Sequence, residues 1–312
     1  MLATAVLVNH LTVLQIGRGA VMLFFVLSGY WVSALWTKTE GPNRVATFFL
    51  NRVLRIWPLY FAVMIVCAAL AHHVPDLTEI FLFGVASEPF PRLIGAEWSL
   101  DIEMQFYALL PLLILLRERV SATLWIALML CCSYIGWRLE TGPGIVTVIK
   151  FLPAFAIGME IQRTRWTPSH GFAHLSIAAF VALSAAQIYL SQMHGPLLHS
   201  IFGDWDWDAI FAIWVVVLVP YVAASVHRPS DAADRRLGDL SYPLYLVHRP
   251  VLVWMQLLYD WRTQTHVFLA LGIIVALAAI FWVAVDRPAE RFRKRLLAAR
   301  PFARRYPAGV AT

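Results

Sequence analysis

Several ionisable side chains sit inside otherwise apolar stretches, and these are where chemistry would be done. His10 lies in VLVNHLTVL, and Asp101 and Glu103 lie at the start of the run EWSLDIEMQFYALLPLL. Ionisable groups are costly within a membrane, so each is a functional candidate. An imidazole can remove a hydroxyl proton near neutral pH, and a carboxylate can orient that imidazole or the hydroxyl. A histidine that merely packs and hydrogen-bonds a neighbouring helix is the alternative reading of His10 taken alone. Asp101 and Glu103 are two positions apart and point to different helix faces, so both are not expected in one pocket. Glu103 shares its face with Phe106 and Tyr107, whereas Asp101 is expected to be interfacial. Arg52 and Arg55, in FFLNRVLRIWPLYF, are three apart on one face, where two guanidinium groups could grip phosphate oxygens bidentately. Basic residues at a membrane boundary also arise from topology alone. His248 and Arg249 follow Ser241, Tyr242 and Tyr245 inside another apolar run, and Tyr245 and His248 are helical neighbours. His72, His73, His194 and His199 lie at segment edges, as interfacial side chains do.

Other chemistries find no support. The sequence contains no glycine-rich phosphate loop, no HExxH and no GxSxG turn. Cys67, Cys131 and Cys132 lie in apolar runs without disulfide or metal-ligand spacing, and no metal is expected.

The elements that must position these groups are membrane helices. Hydrophobic residues make up 60% of the 312 and charged residues only 14%. Soluble domains hold about 45–50% apolar and about 25% charged residues, so a water-soluble fold of this size is excluded. Ten segments have the apolar character of a span, at about 2–16, 19–37, 57–74, 99–116, 120–137, 146–162, 172–191, 209–226, 240–259 and 266–285. The expected fold is all-α and polytopic, with residues 1–312 forming a single membrane domain. Residues 2–16 would reach only about 24 Å, against roughly 30 Å of hydrocarbon, so this segment is expected to be a first helix lacking its N-terminal part. Basic residues gather in alternate connections: Lys38, Arg44, Arg52 and Arg55, then Arg117 and Arg119, Arg163 and Arg165, Arg228, Arg235 and Arg236, and the arginine-rich tail. That bias places those connections and both termini in the cytoplasm. The formal charge of +6 is therefore an orientation signal, and no nucleic-acid partner is expected.

Taken in order, these segments resemble the acyltransferase 3 family of integral-membrane acyltransferases. VLVNH resembles the end of its first helix, with the motif histidine at His10. FFVLSG is similar to its FFxLSG block through Phe24, Phe25, Leu27, Ser28 and Gly29. NRVLRIWPLY resembles RxxRIxPxY through Arg52, Arg55, Ile56, Pro58 and Tyr60. EWSLDIEMQFYALLP is similar to W-S-L-x-x-E-x-x-F-Y through Trp98, Ser99, Leu100, Glu103, Phe106, Tyr107 and Pro111. LSYPLYLVHRP resembles SYxLYLxHxP through Ser241, Tyr242, Tyr245, His248 and Pro250, and VDRPAERF resembles the family's usual end. The family's first-helix arginine, eleven positions ahead of the histidine, would precede Met1. The chain resembles the form without a soluble hydrolase-like extension.

The resemblance implies a multi-pass enzyme of the bacterial cytoplasmic membrane that moves an acyl group, most simply acetyl, from acyl-CoA to a hydroxyl of a sugar, surface polysaccharide or related glycoconjugate. No permanently bound cofactor is implied, since acyl-CoA is a donor substrate. His10 is then the expected general base and Glu103 its partner. Arg52 and Arg55 are expected to hold the donor's phosphates, and Ser28, Trp98, Tyr245 and His248 to line the substrate channel. A transporter of small polar molecules without acyl chemistry is the alternative from another class, although no internal repeat supports it. An inactive family member acting as a scaffold is a third.

Overall fold

The computed structural model describes residues 6–7, 17–88, 92–202, 207–229, 231–258 and 264–298. Among these, every regular element is helical. In chain order they are α1 (Gly17–Lys38), α2 (Arg44–Ala71), α3 (Leu77–Phe81), a 3-10 turn (Val85–Ser87), α4 (Glu97–Arg119), α5 (Ala122–Thr141), α6 (Val148–Thr164), α7 (His170–Phe202), α8 (Trp207–Ser225), α9 (Ala232–Leu258), α10 (Gln264–Phe281), a π-helical turn (Trp282–Asp286) and α11 (Arg287–Ala298). Five runs among the described residues are long and apolar enough to cross a membrane: Gly17–Lys38, Arg44–Ala71, Glu97–Arg119, Ala122–Thr141 and His266–Ala298. Val6 and Leu7 are helical and buried, while the rest of the expected first segment lies outside the described residues.

Two boundaries differ from the sequence expectation in ways that matter. The third expected segment began at residue 57, but α2 begins at Arg44, directly after the Gly41–Asn43 turn, in which Gly41 adopts φ 98°. Arg52 and Arg55 therefore project from the body of a helix rather than from a connection ahead of it. A hydropathy window overlooks those first turns because they are amphipathic, with Phe48 and Asn51 buried and Val45 exposed. The last span continues beyond residue 285 through the π turn into α11, which packs back against α2.

Helix α1 is central and lies along α6, with further contacts to α8 and α4. Glycines make that approach possible. A Cβ on Gly29 would overlap the carbonyl oxygen of Phe155, and one on Gly158 would overlap that of Val26. Small residues that let helix backbones touch are a principal source of packing where lipid removes the hydrophobic drive. Around the contact, Phe25 stacks on Phe155 at 4.8 Å and Phe155 on Phe106 at 4.0 Å, joining α1, α6 and α4. Polar ties close the ends. Arg117 of α4 pairs with Glu160 of α6, and Gln105 of α4 accepts from the backbone N–H of Val148 at 2.9 Å.

Between α2 and α4 the chain forms an ordered cap rather than a simple loop. Asp76 and Glu79 build a reciprocal capping box on α3. The Glu79 N–H and the Thr78 hydroxyl hold the Asp76 carboxyl below its ordinary range. The Tyr60 hydroxyl donates to the Glu79 carbonyl at 2.6 Å, fastening the cap to α2. Asp101 is fully buried beneath this cap. Its carboxylate accepts from the Ala86 backbone N–H and the Gln105 side chain, both at 2.8 Å. Glu97 is likewise buried and accepts from the Ile94 N–H at 3.1 Å. Each acid thus accepts from a buried backbone N–H of the cap. Asp101→Ala strands the buried Ala86 N–H and removes the acceptor of the half-buried Gln105 amide, so a loss of about 1–3 kcal/mol is expected. A lowered melting temperature together with faster proteolysis within residues 72–96 would register it.

Candidate active site

One face of α4 carries a polar stripe. Ser99, Glu103 and Tyr107 are spaced four apart, so they stack on the same side of the helix, about 6 Å of rise per step. Each makes a hydrogen bond there. The Ser28 hydroxyl, from α1, donates to Glu103 Oε1 at 2.7 Å, and the Tyr107 hydroxyl donates to the same oxygen. Glu103 is 5% exposed, Ser28 7% and Tyr107 2%, so this is a buried carboxylate gripped by two hydroxyls. A buried charge needs such donors to remain ionised. Ser28 is placed by the neighbouring glycine: Gly29 brings α1 against α6 and presents the serine toward α4.

One end of the stripe leads to the arginines. The Arg52 guanidinium lies over the Tyr107 ring at 5.8 Å, and its Nη2 donates to Asn51 Oδ1 at 3.2 Å. Arg55 has a carboxylate partner in place. It pairs with Asp286 of the π turn at 3.3 Å and lies over the Tyr242 ring at 5.7 Å. Tyr242 is in turn braced by donating to the Ile56 carbonyl of α2 at 2.7 Å.

The other end of the stripe reaches α9. Ser99 Oγ and the Tyr245 hydroxyl are 2.7 Å apart, and His248 Nδ1 lies 2.6 Å from the Tyr245 carbonyl oxygen. A carbonyl can only accept, so Nδ1 carries the proton, and Nε2 is the basic nitrogen of a neutral His248. Pro243 and Pro250 fall within α9 on either side of this pair. Each removes a backbone donor from the helix, which loosens the hydrogen-bond ladder around the site.

The expected site residues thus divide. Glu103 and Ser28 meet at the middle of the stripe, Arg52 and Arg55 lie toward its Tyr107 end, and Tyr245 meets α4 at Ser99 with His248 beside it on α9. The Trp98 ring lies edge-on to Phe25 at 6.4 Å and 6.0 Å from Phe151. Ser28 is a hydrogen-bond donor to Glu103 rather than a simple lining residue. His10 lies outside the described residues. Ser99, Tyr107, Tyr242 and Asp286 were not singled out as site residues, although the four-residue spacing of Ser99, Glu103 and Tyr107 was a readable signal.

Comparison with known proteins bears on this geometry. The model of the family described as an acyltransferase domain matches residues 2–285. The chain is 25% identical to the proposed membrane-bound transacylase BcsY of Komagataeibacter xylinus, over 93% of this chain and 81% of that protein. It is 26% identical to Nodulation protein 10 of Rhizobium leguminosarum bv. viciae, over 90% of this chain and 84% of that one. No solved structure matches. A buried carboxylate held by two hydroxyls within a helical membrane bundle, and a family match across nearly the whole chain, lead to one conclusion: this chain belongs to the acyltransferase 3 family of membrane acyltransferases.

Proposed function

We propose that the protein transfers an acyl group, most simply acetyl, from acyl-CoA to a hydroxyl of a sugar, surface polysaccharide or related glycoconjugate. The observation that supports this best is the Ser28–Glu103–Tyr107 cluster, a buried carboxylate fixed at the middle of a polar stripe that runs from arginines to a histidine. The donor enters from the cytoplasm, with its phosphates at Arg52 and Arg55. The acceptor approaches from the opposite end, past Tyr245 and His248. His10 removes the hydroxyl proton as the hydroxyl oxygen bonds to the thioester carbonyl carbon. The carbon–sulfur bond then breaks and the proton passes to the departing thiolate, leaving the ester and free CoA. Glu103 orients His10 and stabilises the imidazolium that forms, as a carboxylate does beside any histidine base. The proposal includes about ten spans, from the apolar segments, both termini in the cytoplasm, which the repeated basic connections support, and a place in the bacterial cytoplasmic membrane.

The test uses purified protein in lipid nanodiscs, with acetyl-CoA and an extract of cell-envelope glycans, and follows release of the CoA thiol. His10→Ala is expected to slow acceptor-dependent release by about 10²–10⁴-fold. Wild-type rates in His10→Ala would remove the base assignment. Arg52→Gln with Arg55→Gln is expected to raise KM for acetyl-CoA, and an unchanged KM would remove these residues from the donor site.

A further inference from the structure

The two arginines of α2 have a third beside them. Arg293, on α11, reaches across to α2 and donates to Asn51 Oδ1, the same oxygen that accepts from Arg52. Its side chain is only 13% exposed. Three guanidinium groups from two helices therefore converge on the short stretch from Asn51 to Arg55. Two carboxylates accompany them. Glu290 pairs with Arg293 at 2.6 Å and with Lys294 at 3.3 Å, and Asp286 pairs with Arg55 at 3.3 Å. Neither carboxylate is paired with Arg52. That side chain hydrogen-bonds the Asn51 amide oxygen and lies over the Tyr107 ring, with the Glu103 carboxylate near enough to act on its charge, and its buried Nε has no hydrogen-bond partner among the described residues.

Like charges so close repel one another, and buried guanidinium donors are costly to leave unused. A cluster of three guanidinium groups with an unused buried donor is built for an anionic ligand with several oxygens. Arginine forks match phosphate better than any other side chain. The carboxylates are placed to hold the arginines in position. Asp286 closes the π turn, an element that widens the helix and recurs at functional sites, and this turn directs its carboxylate toward α2.

We propose that Arg293 is a third phosphate-binding arginine, completing with Arg52 and Arg55 the site for the phosphate groups of the thioester donor. Asp286 and Glu290 are positioning residues that hold Arg55 and Arg293. The C-terminal helix is thus part of the donor site rather than a tail beyond the last span. This inference rests on the acyl-CoA reading, and its test separates the two.

Purified protein is assayed with two donors, acetyl-CoA and acetyl-N-acetylcysteamine, a thioester that carries no phosphate. Arg293→Gln is expected to raise KM for acetyl-CoA about tenfold at unchanged kcat, corresponding to loss of a charge-assisted contact. KM for the short thioester should not move. An unchanged KM for acetyl-CoA, or equal impairment with both donors, would overturn the proposal, the latter assigning Arg293 to structure alone. Should Arg293→Gln fail to fold, Arg293→Lys keeps the charge and loses the fork. Its Kd for CoA, measured by calorimetry, should rise several-fold, and an unchanged Kd overturns the proposal. If the wild-type protein turns over neither thioester, the acyl-CoA reading fails by itself. Binding of inorganic pyrophosphate then decides the anion site: weaker binding in Arg293→Gln supports it, and equal binding refutes it.

Discussion

Glu103→Gln is expected to lower the rate of acyl transfer by about 10²-fold or more while leaving the protein folded. The amide keeps an oxygen where Oε1 lies, so the hydroxyls of Ser28 and Tyr107 retain their acceptor. What is lost is the negative charge, and with it the stabilisation of an imidazolium formed as a histidine takes the acceptor's proton. Initial rates in nanodiscs, beside a melting curve, separate these effects: kcat should fall while the melting temperature stays close to that of wild type. Glu103→Ala differs in kind. It strands two buried hydroxyls, each costing about 1–3 kcal/mol, and leaves a void, so it should lower both rate and stability. A glutamine variant with full activity would reduce Glu103 to a packing residue.

The second large effect is expected far from any reacting atom. Gly158→Leu drives a side chain into the Val26 carbonyl at the tightest contact between α1 and α6. Because backbone meets backbone there, no rotamer change relieves the overlap and the helices must part. Overpacking of this kind costs about 1–3 kcal/mol, and more where backbone has to move. Separation also displaces Ser28, which lies beside Gly29 on the same contact, so Glu103 loses a donor. The expected outcome is a broad or absent monodisperse peak in size-exclusion chromatography, with little activity in what remains. Gly171→Ala is the control. A Cβ at Gly171, in α7, meets nothing within 4 Å, so the substitution should be neutral or stabilise by up to about 1 kcal/mol. Equal behaviour of the two variants would mean that the α1–α6 approach does not set the packing.

Much of this arrangement was legible because it is local. The apolar runs announce the helices, and the spacing of Glu103 and Tyr107 places them on one face. Residues that act across helices were harder to read. Nothing near Ser28 in the chain indicates that it donates to a carboxylate seventy-five positions later. Asp101 resembles an interfacial acid until the cap folds back over it and supplies the Ala86 N–H. Arg55 resembles a free cation because its counter-ion, Asp286, stands at the far end of the chain. Trp98 belongs to the same block as Glu103, yet it points into the aromatic packing with Phe25 and Phe151. Periodicity assigns residues to faces, whereas helix-to-helix contact decides which face becomes a site.

The central claim is that acyl transfer occurs at the buried Glu103 cluster, and its most direct test is mass spectrometry of cell-surface glycans from three strains. One carries a deletion of the gene, and the other two carry the deletion complemented with wild type or with Glu103→Gln at matched membrane levels. An O-acyl group should be absent from the deletion strain, restored by wild type and not restored by Glu103→Gln. Glycans equally acylated in all three strains, or restored as fully by Glu103→Gln as by wild type, would contradict acyl transfer at this site.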